Sequence, residues 1–275
     1  MRIRIVLTGD EENPGEPISV SRKDLVDAAA ESDVALEFEP GIRLHGIDYA
    51  STSRRGVVDW NLRTHGVSFH SSQIGSAETG DGAGKELIRI LSEFATELPE
   101  KYLTYNVGFI LAGATATVNE KQNGGSVTGK LNIVPGEGYA LGDLRTISDE
   151  QAERAEAKMR AIVAKHLPKT EAEITFRGLM PAMSPERNRG LLKMLNQVNL
   201  DLGLSAMEEL DPMKRGGGDI SFVAKNVDSL TGFGSIGDGA HAPGEYVDLR
   251  SLPLQAKRSA LMLLRLSLAE QKVIF

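Results

Sequence analysis

The sequence contains no cysteine. That absence excludes a disulfide framework, thiolate metal ligands and a cysteine nucleophile. Long apolar runs are missing as well. The most hydrophobic stretch, Ser259 to Leu268, is interrupted by Arg265 and falls far short of the roughly 20 residues a membrane span needs. After Arg2 and Arg4 the first apolar run is only Ile5-Val6-Leu7, below the roughly 7 residues of a secretory leader. Excess positive charge is lacking too: 31 Lys and Arg face 38 Asp and Glu, a net charge of −7. Such a balance is a poor match to phosphate backbones. Neither nucleic acid nor membrane is expected as a partner, and a soluble, cytoplasmic protein is the default; export would need a signal upstream of Met1.

What is present is ordinary globular material. Hydrophobic residues make up 41% and charged residues 25% of 275, enough for about two domains with real cores at roughly 150 residues each. The opening Arg2–Thr8 is β-branched and apolar, which predicts a strand in a covered sheet, followed by the turn-rich loop Gly9–Gly15. Ser21 is placed to cap a helix running through Ala30, and Val34–Phe38 reads as a strand. This strand–loop–helix–strand order predicts a parallel α/β sheet with its chemistry at the strand C-termini.

The middle has a different rhythm. Gly56–Thr64 is strand-like, and Gly84–Leu98 carries Leu87, Ile90, Leu91, Phe94 and Leu98 on one helical face. Tyr105–Val118 reads as one long strand, Asn123-Gly124 as a hairpin turn, and Val127–Val134, Tyr139–Arg145 and Ala172–Arg177 as further strands. Ser148-Asp-Glu-Gln151 is a capping box for a helix to about His166. Mostly antiparallel strands with two helices describe an α+β insertion. The chain then returns to helix at Pro185–Leu200, a glycine-rich loop at Gly216–Gly218, short strands, and a terminal helix from Pro253 to Gln271.

Familiar nucleotide motifs fail. Gly232-Phe-Gly234-Ser-Ile-Gly237 has dinucleotide-site spacing, but no helix follows to aim its N-terminus at a pyrophosphate. Gly84-Lys85 lacks the remainder of a P-loop. Carboxylates and one histidine on turns remain. Asp10-Glu11-Glu12 follows an apolar segment, Asp33 precedes another, and His241 lies in a Gly- and Pro-flanked loop. Adjacent acids repel unless a cation or basic groups offset them. Oxygen and imidazole ligands suit zinc, and cobalt or manganese would take the same atoms.

These segments, Thr8–Gly15, Ser32–Pro40 and His241–Val247, together with Gly66–Ser71, Asn132–Pro135 and Gly142–Arg145, resemble the co-catalytic dizinc exopeptidase and amidohydrolase family. That family includes glutamate carboxypeptidase, succinyl-diaminopimelate desuccinylase and acetylornithine deacetylase. The resemblance spans essentially the whole chain. It implies a zinc-exopeptidase-like α/β fold with a parallel or mixed sheet and an inserted α+β lid. The boundaries expected are a first catalytic part at 1–53, a lid or dimerisation domain at 54–178, and a second catalytic part at 179–275. It further implies hydrolysis of an amide bond next to a free carboxylate, in a small peptide or N-acyl amino acid, by a homodimer joined through the lid.

Residue by residue, the resemblance makes Glu11 the general base, and Glu12 and His241 ligands of one zinc. Asp33 becomes a ligand of the second zinc. His70 becomes the lid histidine that steadies the oxyanion in a partner's site, and Arg145 the grip on the substrate carboxylate. Asn132, Gly217 and Gly218 match substrate-contact positions, with Asp219 and Glu245 as supporting loop residues. His45, His65 and His166 match nothing. The family also has an upstream H-x-D motif and an Asp that bridges both metals. No H-x-D triplet occurs in this sequence, so both are expected upstream of Met1, and the catalytic domain is read as lacking its first strands. The alternative reading is an inactive fragment or paralogue that serves only as a dimerising interaction module.

Overall fold

The computed structural model describes residues 1–119 and 124–269. They fall into two compact units, Met1–Gly56 with Met180–Phe275, and Val57–Leu179. The first unit opens with α1 (Ile18–Ser21), α2 (Lys23–Ala30), β1 (Val34–Glu37), β2 (Ile42–Leu44) and β3 (Ile47–Ala50). β4 (Gly56–Gly66) leads into α3 (Gly82–Glu97), β5 (Thr104–Gly113), β6 (Thr115–Asn119), β7 (Gly124–Thr128), β8 (Glu137–Thr146) and α4 (Asp149–Val163). β9 (Thr170–Met180) leads back to α5 (Arg189–Asp201), β10 (Glu208–Glu209), β11 (Asp228–Thr231), β12 (Ile236–Asp238), β13 (Tyr246–Asp248) and α6 (Ser251–Leu268).

In the first unit β1 runs parallel to β11, and β10 parallel to β3. β11 is buried along its whole length, as expected for a parallel strand covered on both faces. Leu191, Leu195, Leu230, Phe233 and Met262 form one core cluster. Met183, Ile220, Val223 and Val227 form another. Buried Asn188 ties the segments together: its amide donates to the Thr52 carbonyl at 2.7 Å and accepts from the Ser229 N–H at 2.8 Å.

Several local expectations need correction here. Residues 2–8 are not a strand, because among the described residues no strand pairs with them. Ile3, Ile5 and Leu7 stay 56, 81 and 90% exposed, and Arg2 and Arg4 reach Glu31 instead. Ser21 does not cap the helix; its hydroxyl donates to Asp10, and a break at Arg22 separates α1 from α2. The Pro185 segment starts as a short 3₁₀ turn at Glu186–Asn188 before α5. The terminal helix begins at Ser251, two residues before Pro253, and is described to Leu268; Gln271 lies outside the described residues.

The second unit is a sheet in the order β5-β8-β4-β9. One face is covered by α3 and α4 through Trp60, Leu62, Leu87, Ile90, Phe94, Leu144 and Met159. Trp60 meets Phe94 edge-on, with centroids 6.1 Å apart. Gly142 sits where any side chain would collide with the Asn106 carbonyl and the Trp60 ring. The Tyr105–Val118 run is interrupted at Ala114, where the chain leaves its pairing with β8 and begins the β6–β7 hairpin. Asn119 pairs with Gly124, while Asn123 of the expected turn lies outside the described residues. The Val127–Val134 run stops being a strand at Thr128. The Ser148 hydroxyl does cap α4, accepting from the Gln151 N–H at 3.2 Å, and that helix ends at Val163, short of His166.

A buried acid gives this unit a pH dependence. Glu86 is 0% exposed within α3; it accepts from Arg89 at 2.7 and 3.1 Å and from the Leu167 N–H at 3.1 Å. Burial pushes its carboxyl upward, but the bonds from Arg89 and Leu167 outweigh that and hold it below the usual 4.5. A depressed folded value adds stability that is complete above the unfolded value and is lost as pH falls through the folded one. The denaturation midpoint of this unit is therefore expected to fall on acidification, and Glu86→Gln to flatten that fall. An unchanged acid slope in Glu86→Gln would assign the dependence to other groups.

Candidate active site

The first unit collects its ionisable side chains after the C-terminal end of β1 and around the loop at Asp10. That loop is built on Asp10 itself, whose Oδ2 accepts from the Gly15 N–H at 3.0 Å and the Ser21 hydroxyl at 2.7 Å. Those two bonds, with the Arg22 guanidinium beside it, bring the Asp10 carboxyl down to about 2. Arg22 is 1% exposed. Its Nη1 donates to Asp10 Oδ1 at 2.7 Å, its Nη2 to the Asp10 carbonyl at 3.1 Å, and its Nε to Asp219 Oδ1 at 2.7 Å. The next two residues, Glu11 and Glu12, are thereby carried on an anchored turn.

Glu11 is pushed above the ordinary carboxylate range. Burial contributes most, followed by repulsion from Glu39, Glu12 and Asp219, with Arg54 opposing. A base raised in this way lies closer to neutral operating pH, which is what efficient proton transfer requires. Glu12 and His241 come together at 3.6 Å, each with a side chain 75% exposed. His241 is presented by a turn in which it adopts a positive φ of 63°.

A second cluster centres on Arg54, which is 2% exposed. Its Nη2 donates to Glu37 at 2.8 Å and to Thr231 at 3.1 Å, and lies 3.7 Å from Glu39. Its Nη1 donates to the Gly217 carbonyl. Arg215 stands 3.6 Å from Glu39 and bonds Ser51 at 3.2 Å. Burial, and Arg54 nearby, bring its guanidinium down to about 10. A Cβ on Gly218 would sit 2.5 Å from the Arg54 guanidinium, so this glycine is fixed by the close approach of the arginine.

In the second unit His70 ends an extended segment and bridges to Ile133. Its Nδ1 accepts from the Ser72 N–H at 3.2 Å and meets the Ser72 hydroxyl at 2.8 Å. In the neutral ring this places the proton on Nε2, as a donor. The Asn132 amide faces Nε2 at 3.2 Å and meets that proton with its oxygen when the amide is turned over. Arg145 Nε donates to Asp143 at 3.0 Å, with the side chain 39% exposed.

Glu12 with His241, and His70 with Asn132, are thus brought together. Asp33 is not. It is exposed and precedes β1, the opposite end from Glu37 and Glu39 and about 13 Å along a strand of that length. Glu39, which sequence reasoning passed over, is the acid that repels Glu11 most. Arg22, Arg54, Glu37 and Arg215 were also missed. The available signals were an acid-x-acid-Pro run closing β1 and an arginine directly before the glycine loop.

Comparison with known proteins adds to this geometry. Residues 52–171 match the model of the M20 peptidase dimerisation domain. Over 252 residues the chain is 26% identical to succinyl-diaminopimelate desuccinylase of Burkholderia ambifaria, covering 90% of this chain and 62% of that protein. A crystal structure of a tripeptidase from Staphylococcus aureus matches with a TM-score of 0.66 at 17% identity, over 91% of this chain and 61% of that one. A dinuclear metal-binding M20 peptidase from Bacillus subtilis matches with a TM-score of 0.61 at 14% identity, over 90% and 61%. These similarities support the resemblance read from the motifs, and the solved structures share the mixed α/β fold. The chain spans about 62% of the length of the desuccinylase it matches.

Proposed function

We propose that this chain serves metal-dependent hydrolysis of an amide bond adjacent to a free carboxylate, with a small peptide or N-acyl amino acid as substrate and a homodimer formed through the M20 domain. What supports this reading most is Glu11, a base raised by burial and by surrounding acids on a turn clamped by Arg22. Glu11 takes the proton of the attacking water and returns it to the leaving amine. His70 offers Nε2–H, in the site of the neighbouring subunit, to the oxygen that gains charge in the transition state. Arg145, oriented through Nε by Asp143, offers a planar guanidinium to the substrate carboxylate. Asn132, Gly217 and Gly218 retain their proposed substrate-contact roles.

The donor types suit a divalent cation, zinc above all, which would polarise the scissile carbonyl and activate water when bound. They supply only part of a ligand set among the described residues. Among the described residues no group of three His, Asp or Glu comes together as a ligand set. Glu12 and His241 supply a pair, and Glu39 is engaged by Arg54 and Arg215. Asp33 stays at the far end of β1, so Glu39 replaces it in this proposal as the acid that repels Glu11 most. The missing third donor is the observation that favours a second reading, a dimerising module without catalysis.

The carboxylate requirement is tested by comparing an N-acyl amino acid with its C-terminal amide. We expect kcat/KM to be about ten- to a hundredfold lower for the amide, the worth of one charged hydrogen-bonded pair, and Arg145→Ala to erase that preference. Equal rates on both substrates in the unmodified protein would remove Arg145 from the site.

A further inference from the structure

Arg22 is one of the heavily bonded buried arginines of the first unit, and nothing above requires it to touch substrate. Its guanidinium is spread over two segments far apart in sequence. Two nitrogens hold Asp10, by side chain and by main chain, and the third holds Asp219. The ring of Phe222 lies against it, 5.6 Å from the guanidinium carbon to the centroid. Burying an arginine this fully is costly unless every edge is paired. Here the partners are a carboxylate on the loop bearing Glu11 and Glu12, and a carboxylate on the turn that follows Gly217 and Gly218.

We propose that Arg22 and Asp219 form a positioning pair that sets the orientation of the Glu11–Glu12 turn; the role assigned to that turn rests on the reading of Glu11 as base. The geometry favours position over bulk stability. Arg22 grips the peptide group immediately before Glu11, through the Asp10 carbonyl at 3.1 Å, so its loss frees the backbone on which Glu11 is mounted. Asp219 in turn has one oxygen on Arg22 Nε, while its buried Oδ2 makes no hydrogen bond among the described residues. Among the described residues its side-chain hydrogen bonding therefore serves Arg22 alone. A lysine in place of Arg22 keeps a charge but has neither the planar fork nor the reach to bridge both carboxylates at once.

The test uses the full chain with Arg22→Lys and Asp219→Asn, neither of which removes the bulk of a buried side chain. The first readout is the Gly15 amide proton by NMR exchange, since Gly15 N–H donates to Asp10. The second is kcat and KM on an N-acyl amino acid with zinc present. We expect Gly15 exchange to accelerate about tenfold in both variants while amides in α5 keep their rates, as local opening allows. We also expect kcat to fall about a hundredfold with KM unchanged, the effect of a misplaced catalytic group. Uniform acceleration throughout the first unit, or unchanged Gly15 exchange, would overturn the pair as a positioning device. If the unmodified chain hydrolyses nothing, the exchange readout still decides the pair, and only the reading of Glu11 falls.

Discussion

Glu11→Gln is expected to lower kcat for amide hydrolysis roughly a thousandfold, the weight of a general base, while leaving fold and assembly intact. Glutamine keeps the size and the hydrogen-bonding oxygen but accepts no proton at neutral pH. The substitution also removes a carboxylate whose ionised form is opposed by burial and by Glu39, Glu12 and Asp219, so the folded chain should lose no stability through it. The pH profile carries a second signature. A base raised above the ordinary carboxylate range must lose its proton to work, so kcat/KM should climb with pH through that raised value and level off above it. A Glu11→Gln protein that retains more than a tenth of the rate would place the base elsewhere.

The second large effect is expected at His70. His70→Ala should reduce kcat about a hundredfold with little change in KM, the loss that follows removal of one oxyanion donor. The direction follows from the ring's tautomer. Ser72 N–H occupies Nδ1, so Nε2 is the nitrogen with a proton to give, and a developing oxyanion would take it in place of the Asn132 amide. His70→Gln, which can present an amide N–H, should recover part of the rate. Asn132→Ala should weaken the effect less than His70→Ala, because Asn132 faces the ring without replacing its donor. A rise in KM with unchanged kcat in His70→Ala would instead make His70 a ground-state contact.

The parts of the fold that could be read from the sequence were those with a strong period or a local capping signal. α3 announces itself through Leu87, Ile90, Leu91 and Phe94, and α4 through Ser148, because both signals are written within a few consecutive residues. Residues 2–8 carry an equally strand-like pattern and form none, since a ladder depends on a neighbour that no local pattern specifies. Ser21 failed as a cap for a related reason: its hydroxyl found a carboxylate eleven residues back in sequence. Tyr105–Val118 kept its composition but changed partner at Ala114, and a change of partner leaves little trace in alternation.

The candidate site divides in the same way. Glu11, Glu12, His70, Asn132, Arg145 and His241 were legible as motif residues, and the structure pairs Glu12 with His241 and His70 with Asn132. Asp33 was named and Glu39 passed over; both lie within one short segment, and it is Glu39, beyond the far end of β1, that repels Glu11. Arg22, Arg54 and Arg215 could not be picked out, because an arginine's burial is a property of what folds over it. Arg22 meets Asp219 across 197 residues of sequence. No spacing rule reaches that far.

The most direct test of this account is an assay of the gel-filtered chain. The protein is loaded with zinc, separated by size, and each fraction is tested for hydrolysis of a C-terminal-glutamate dipeptide and for metal content. The account predicts zinc-dependent turnover that coincides with the dimer fraction and is absent from Glu11→Gln in the same fraction. A folded dimer that neither retains zinc nor turns over substrate would contradict it and leave the chain a dimerising module.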